Sequence, residues 1–251
     1  MSAEARDVAP LIAALEGPDK ASIRGAVDSL IRIARDAPQV RKQLGDLLGE
    51  PSRKNRWAVA YVLAHLDDPP ASVLPALLDA LDTDDPDVRW AVALLLIRLG
   101  KESNGVVDLL FELLKSGGLH QRRMAVYCLR DIGLRGASLH KLLLPLEDPD
   151  PLVRVAVLTA LGAQKRTLPE SVERLRKLLA ADPDTRVRCA AALALARLGD
   201  PTEEVRAALI EASRAEQPTL RKAAGAALKL LNKKGLASGA KLESEDEPSV
   251  S

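Results

Sequence analysis

The chain has 251 residues, 47% of them apolar, and its 36 lysines and arginines nearly match 35 aspartates and glutamates, for a net charge of +1. That balance is a poor electrostatic footprint for nucleic acid, and the run Leu74 to Leu81, interrupted by Pro75 and Asp79, is far too short to span a bilayer. Cys128 and Cys189 stand alone without a Cys-x-x-Cys, and no secretory apolar run follows the polar start Met1–Asp7, so a soluble protein of a reducing, cytoplasmic compartment is expected.

Helices alternate in pairs along the chain. The spacing of apolar residues predicts first helices near Val8–Glu16, Pro38–Leu48, Ser72–Leu81, Gly105–Lys115, Ala137–Glu147, Pro169–Ala181 and Thr202–Arg214. Leu11, Ile12 and Leu15, or Leu77, Leu78 and Leu81, show the three-and-four recurrence. Second helices are predicted over Lys20–Arg35, Ser52–Leu66, Pro86–Leu99, Leu119–Ile132, Pro151–Leu161, Thr185–Leu198 and Thr219–Asn232. In the third, Asp85 is suited to cap, Pro86 to open and Gly100 to end the helix. Joints such as Gly117-Gly118, Asp148-Pro149-Asp150 and Asp182-Pro183-Asp184 separate the pairs, and no period-two strand pattern occurs.

Each second helix carries the frame Arg-x-Ala-(Val/Ala), anchored at Arg24, Arg56, Arg89, Arg123, Arg154, Arg188 and Arg221 with spacings of 32, 33, 34, 31, 34 and 33 residues. One helical pair has too little core to stand alone, so neighbours must stack. The expected fold is all-α: an α-solenoid of seven helical hairpins over residues 1–232 as a single domain. From Lys233 the periodicity stops, and the acidic stretch Glu243–Pro248 marks residues 233–251 as an expected disordered tail.

The phrase Asp-Pro-Asp-x-x-Val-Arg-x-Ala within Asp148–Val157 and Asp182–Ala191 resembles the HEAT repeat, and the unit of about 33 residues is similar to the short HEAT-like repeats of the phycobilin-lyase type. The length departs from the typical ~40–47 residues of HEAT units. The resemblance implies a ladder of Asp and Arg between repeats, placed at Asp85 with Arg89, Asp150 with Arg154 and Asp184 with Arg188. It also implies that second helices line a concave side.

Rotating a second helix by 100° per residue from its arginine sends positions two, three, six, seven and ten to one side, as Ala91, Val92, Leu95, Leu96 and Leu99. Positions one, four, five and eight lie opposite and should be polar. In the middle repeats they are apolar. Trp57, Tyr61, Trp90 and Tyr127, four of the five aromatics, fall there with Leu94, Ile97, Met124, Cys128 and Leu158. Four such rings, even half exposed, reach the roughly 300–600 Å² of a large monomer patch. The pattern therefore points to a non-catalytic scaffold or adaptor that binds a helix or extended segment of a partner protein in an apolar groove anchored on Trp57 and Trp90, with Arg53, Lys54 and Arg98 at its rim. The same face would also serve a homo-oligomer. The alternative reading is packing between crowded helices, which Ala60, Ala64 and Ala93 would suit.

Enzymatic readings have less support. The resemblance to phycobilin lyases implies a tetrapyrrole in the groove, but no catalytic residue transfers. His65, His120 and His140 lack the neighbouring glutamates of HEAT-type deoxyhypusine hydroxylases, so no iron ligands are expected. Trp57, Trp90 and Asp131 superficially suit a HEAT-like DNA glycosylase, but the charge balance does not support phosphate tracking. No phosphate-binding glycine loop, nucleophile elbow or His-Glu-x-x-His occurs, and no cofactor, metal, nucleic acid or membrane is expected.

Overall fold

The computed structural model describes residues 8–50, 55–134, 136–164, 169–199 and 202–243, with side chains to residue 233. Fourteen α-helices and no strand occur among them. The chain forms two compact units, Met1–Cys128 and Leu129–Ser251.

In the N-terminal unit α1 (Ala9–Leu15) pairs with α2 (Lys20–Asp36), α3 (Pro38–Leu48) with α4 (Arg56–Leu63), and α5 (Val73–Ala80) with α6 (Pro86–Glu102). The pair of α7 (Asn104–Ser116) and α8 (Leu119–Ile132) follows, the unit boundary falling within α8. The C-terminal unit continues with α9 (Ala137–Lys141), a 3-10 turn at Leu144–Glu147 and α10 (Pro151–Gly162). It closes with α11 (Pro169–Ala181) and α12 (Thr185–Leu198), then α13 (Glu203–Ala212) and α14 (Pro218–Glu243). Within each unit consecutive second helices pack together: α2 on α4 and α4 on α6, then α10 on α12 and α12 on α14.

The core is the apolar stripe of these helices. Leu15, Leu30, Leu44, Leu63, Leu77, Leu81 and Leu96 are wholly buried, each contributing about 1.5–3 kcal/mol over an exposed side chain. Asp19, Asp85, Asp150 and Asp184 each accept a hydrogen bond from a backbone N–H in the first turn of the helix they precede, relieving donors that have no intrahelical partner.

The frame arginines act differently from the expected ladder. Arg56 Nε donates to Leu48 O (3.0 Å), Arg188 Nε to Leu179 O (2.9 Å) and Arg221 Nη1 to Ala215 O (2.9 Å), while Arg89 reaches Thr83 O. Each guanidinium thus caps the end of the first helix, or the joint after it, in its own hairpin, where the helix dipole favours a cation. The pairs Asp85–Arg89, Asp150–Arg154 and Asp184–Arg188 do not form: these arginines turn to backbone carbonyls, while Asp85 takes Lys20 and Asp184 takes Arg186. Adjacent hairpins are instead tied by Arg154 to Asp182, bidentate at 2.9 and 2.8 Å and buried, and more loosely by Arg56 to Asp79 at 3.7 Å.

In the fourth hairpin the capping arginine is Arg122, whose Nη1 donates to Gly117 O at 2.8 Å. The structural register of α8 therefore starts one residue before Arg123. Three boundaries also move. Helix α6 runs through buried Gly100 to Glu102, since Lys101 and Glu102 extend a helix readily. The expected helix Ala137–Glu147 breaks after Lys141, because Pro145 lacks a backbone N–H and clashes with the preceding turn. Helix α14 continues past Asn232 to Glu243; residues 244–251 of the expected acidic tail lie outside the described residues.

Candidate functional site

Helical projection puts positions one, four, five and eight of the second helices on one face, and the structure divides them. At position four Ala60, Ala93 and Leu158 are wholly buried, and at position eight Ala64 and Ile97 are buried too. These side chains are taken up by packing. Positions one and five remain open: Trp57 and Tyr61 on α4 are half-buried, while Trp90 and Leu94 on α6 are 45% and 63% exposed.

The one-residue shift of α8 explains the remaining exceptions. Counted from Arg122, Met124 and Cys128 fall at positions two and six, which are core positions, and both are buried; Cys128 Sγ lies 3.7 Å from Ala93 O. Arg123 and Tyr127 then take positions one and five. The Tyr127 ring stacks on Trp90, centroids 5.7 Å apart and planes 24° from parallel, and the Arg123 guanidinium lies over Tyr127 at 5.9 Å. A guanidinium and two rings are thus layered beside Leu94. Of the predicted groove residues, Trp57, Tyr61, Trp90, Leu94 and Tyr127 stay accessible, whereas Ile97, Met124, Cys128 and Leu158 do not. Of the expected rim, Arg53 and Lys54 lie outside the described residues, and Arg98 Nη2 donates to Ala64 O at 3.0 Å.

Beside these rings, between α2, α4 and α6, lies a pocket of about 560 Å³. Trp57 and Tyr61 of α4 line it, flanked by Ile23 and Val27 of α2 and by Val88 and Ala91 of α6. Its charged members are Lys20, Arg24, Asp28, Asp85 and Asp87. Lys20 Nζ donates to Asp85 Oδ1 at 3.0 Å and to Asp87 Oδ2 at 2.7 Å, joining the first hairpin to the third across the second. These contacts raise the Lys20 pKa, Asp87 contributing most, and Lys20 in turn lowers that of Asp85. Asn55, in the left-handed region that asparagine tolerates, lines the pocket and donates its Nδ2 to Leu15 O at 2.9 Å. The strut and Asn55 are invisible in the sequence, because Lys20 and Asp85 are 65 positions apart and nothing local pairs them.

The C-terminal unit has its own pocket of about 490 Å³ between α10 and α12, with Val155, Thr159, Cys189 and Leu193 at positions one and five and Thr219 alongside. Burial pushes the Cys189 thiol pKa up, so it is not an activated nucleophile. His65 Nδ1 lies 2.8 Å from Tyr61 O and its ring lies against Tyr61; His140 lies 3.8 Å from Glu170. No group of three or more His, Cys, Asp or Glu among the described residues is arranged to hold a metal ion, and no described helix is long and apolar enough to cross a membrane.

The fold recurs in solved structures. Kap121p bound to RanGTP matches with a TM-score of 0.63 at 14% identity, over 91% of this chain and 30% of that one. Kap121p bound to Nup53p gives 0.61 at 15%, over 89% and 29%. YibA of E. coli gives 0.57 at 16%, over 88% and 81%. This chain therefore spans under a third of Kap121p, and identities this low show shared architecture alone. No curated protein sequence matches it. The family model described as HEAT repeats matches residues 8–97 and 138–229, most of the chain. With the repeated Arg-x-Ala frame and the stacked hairpins, that places this chain in the HEAT-repeat family.

Proposed function

We propose that the chain is a non-catalytic interaction module, and that the second-helix face of its N-terminal unit holds a helical or extended segment of a partner protein. The observation that carries this reading is the exposure of Trp90 and Leu94, one helical turn apart, beside the Trp90–Tyr127 stack and a pocket lined by Trp57. An isolated exposed leucine needs no explanation, but aromatic and apolar groups gathered beside a pocket are the usual anchors of a binding hot spot. The architecture supports the same reading, since repeat arrays present extended binding surfaces. Kap121p, one of the structural neighbours, is seen bound to Nup53p and to RanGTP, both proteins.

The test compares capture of proteins by the wild type and by a Trp90→Ala/Leu94→Ser variant, with Leu109→Ser on α7 as a control for an exposed leucine elsewhere. Both sites are exposed, so unfolding is expected to be unchanged, within about 0.5 kcal/mol for Leu94→Ser. A partner held by the wild type and the control but lost by the double variant supports the reading. Equal capture by all three sinks it. Sedimentation of the purified chain separates out self-association: a concentration-dependent mass that the double variant abolishes would make the partner a second copy.

A further inference from the structure

We infer that the pocket between α2, α4 and α6 receives the ammonium group of a partner's lysine side chain, and that Lys20 is its internal occupant, displaced when the partner binds. This rests on the reading of that face as a partner-binding surface and adds what the surface selects.

The pocket already shows what it accepts. One nitrogen, Lys20 Nζ, bridges the carboxylates of two different residues, Asp85 at 3.0 Å and Asp87 at 2.7 Å. A compact ammonium with three rotatable donors suits two separate carboxylates, whereas a planar guanidinium fits one carboxylate with both arms. Asp85 is held in place as the N-cap of α6, accepting from Asp87 N at 2.9 Å, so this acceptor stays positioned when Lys20 leaves. A third carboxylate, Asp28 of α2, lines the same pocket and has no cation partner among the described residues. With Lys20 swung out, Arg24 is the one cation left among the described residues that line the pocket.

The apolar part of the pocket completes the match. Trp57 and Tyr61 line it with aromatic rings, a residue type that attracts cations, and Ile23, Val27 and Val88 suit the four methylenes of a lysine stem. Lys20 is poorly committed to its post. Its side chain is 58% exposed and that of Asp87 is 76% exposed, so the ion pair is the kind that solvent weakens. An incoming lysine, carried by a segment that also covers Trp90 and Leu94, loses no acceptors to water, because it inherits those of Lys20.

The experiment selects binders to the full chain from a randomised peptide library displayed on phage and titrates the strongest free peptide. Lysine at one fixed place in the selected sequences is expected, with replacement by norleucine weakening binding roughly tenfold. Lys20→Met removes the competitor and should tighten the lysine peptide by about two- to fivefold, the factor that corresponds to an exposed ion pair. Asp85→Asn/Asp87→Asn keeps an N-cap of equal quality, so it folds, and should erase the preference for lysine over norleucine. Selected peptides without a lysine preference, or an affinity that Lys20→Met leaves unchanged or lowers, overturn the inference. If those peptides still depend on Trp90 and Leu94, the partner-binding reading survives it. If no peptide binds beyond a scrambled control, both fall.

Discussion

In the C-terminal unit neighbouring second helices come so close that a Cβ on Gly162 of α10 would lie 3.1 Å from Ala194 Cα of α12, and the hairpins are tied by the buried Arg154–Asp182 pair. In the N-terminal unit the ion pairs between hairpins lie at the surface: Arg56 to Asp79 at 3.7 Å between neighbours, and Lys20 to Asp85 and Asp87, a tie that bypasses the hairpin between. The same repeat frame underlies both. What differs is the residue at the open positions: Val155, Thr159 and Cys189 line the C-terminal pocket with small side chains, whereas Trp57 and Tyr61 bring aromatic rings to the N-terminal one and Trp90 stands exposed. Positions one and five thus stay open in both units, and the side chains placed there decide whether the surface is aromatic or small.

Breaking the two ties should separate them most sharply. Arg154→Met leaves the Asp182 carboxylate buried without its partner and should lower stability by about 3–5 kcal/mol, read from urea unfolding followed by circular dichroism. Replacing both partners, as Arg154→Met/Asp182→Leu, removes the stranded charge and should recover most of that loss. Lys20→Ala, which breaks an exposed pair, should leave the unfolding midpoint in place. Equal losses from Arg154→Met and Lys20→Ala would show that the two ties do the same work and would end the comparison.

The glycines sharpen it at a smaller scale. Gly162→Val forces branched carbon into the contact with Ala194 and should cost about 1–3 kcal/mol. A Cβ on Gly25, mid-helix in α2, would meet nothing within 4 Å, so Gly25→Ala should raise stability by up to about 1 kcal/mol through helix propensity. Thermal unfolding of the two variants beside the wild type checks the opposite signs.

The repeat itself is legible because it is written locally: a capping aspartate, an arginine and a three-and-four apolar stripe recur within each hairpin. Helix ends are less so. Gly100 reads as a stop but is buried inside α6, and Pro145 breaks a stretch whose periodicity runs straight through it. In the candidate site, rotation about one helix finds the rings, but it locates a face and not the neighbour packed on it. That is why Ala93 and Ile97 share a side with Trp90 in projection yet are buried. In α8 two successive arginines, Arg122 and Arg123, offer two registers, and only the carbonyl of Gly117 decides between them. The Lys20 strut depends on how the first and third hairpins are spaced, which no local pattern encodes.

The smallest effect concerns the caps. In the C-terminal unit the Asp184 carboxyl is lowered from 3.8 to about 2, chiefly by the Arg186 guanidinium and then by the Arg186 N–H. In the N-terminal unit Asp19 is also lowered, but by the hydroxyl and N–H of Ser22. A carboxyl whose pKa falls on folding adds stability above its unfolded value and loses it as pH drops towards the folded one. The contribution of Asp184 should therefore be complete near neutral pH, decline below about pH 5 and vanish near pH 2. The melting-temperature gap between wild type and Asp184→Asn, which keeps a capping side chain, should shrink over that window. Salt should shrink it as well, because a cation is the main cause, whereas the corresponding gap for Asp19→Asn, set by hydrogen bonds alone, should resist salt. A gap for Asp184→Asn that falls with pH but ignores salt would mean that Arg186 only decorates the surface and that the N–H bond alone holds the carboxylate, making the two caps equivalent after all.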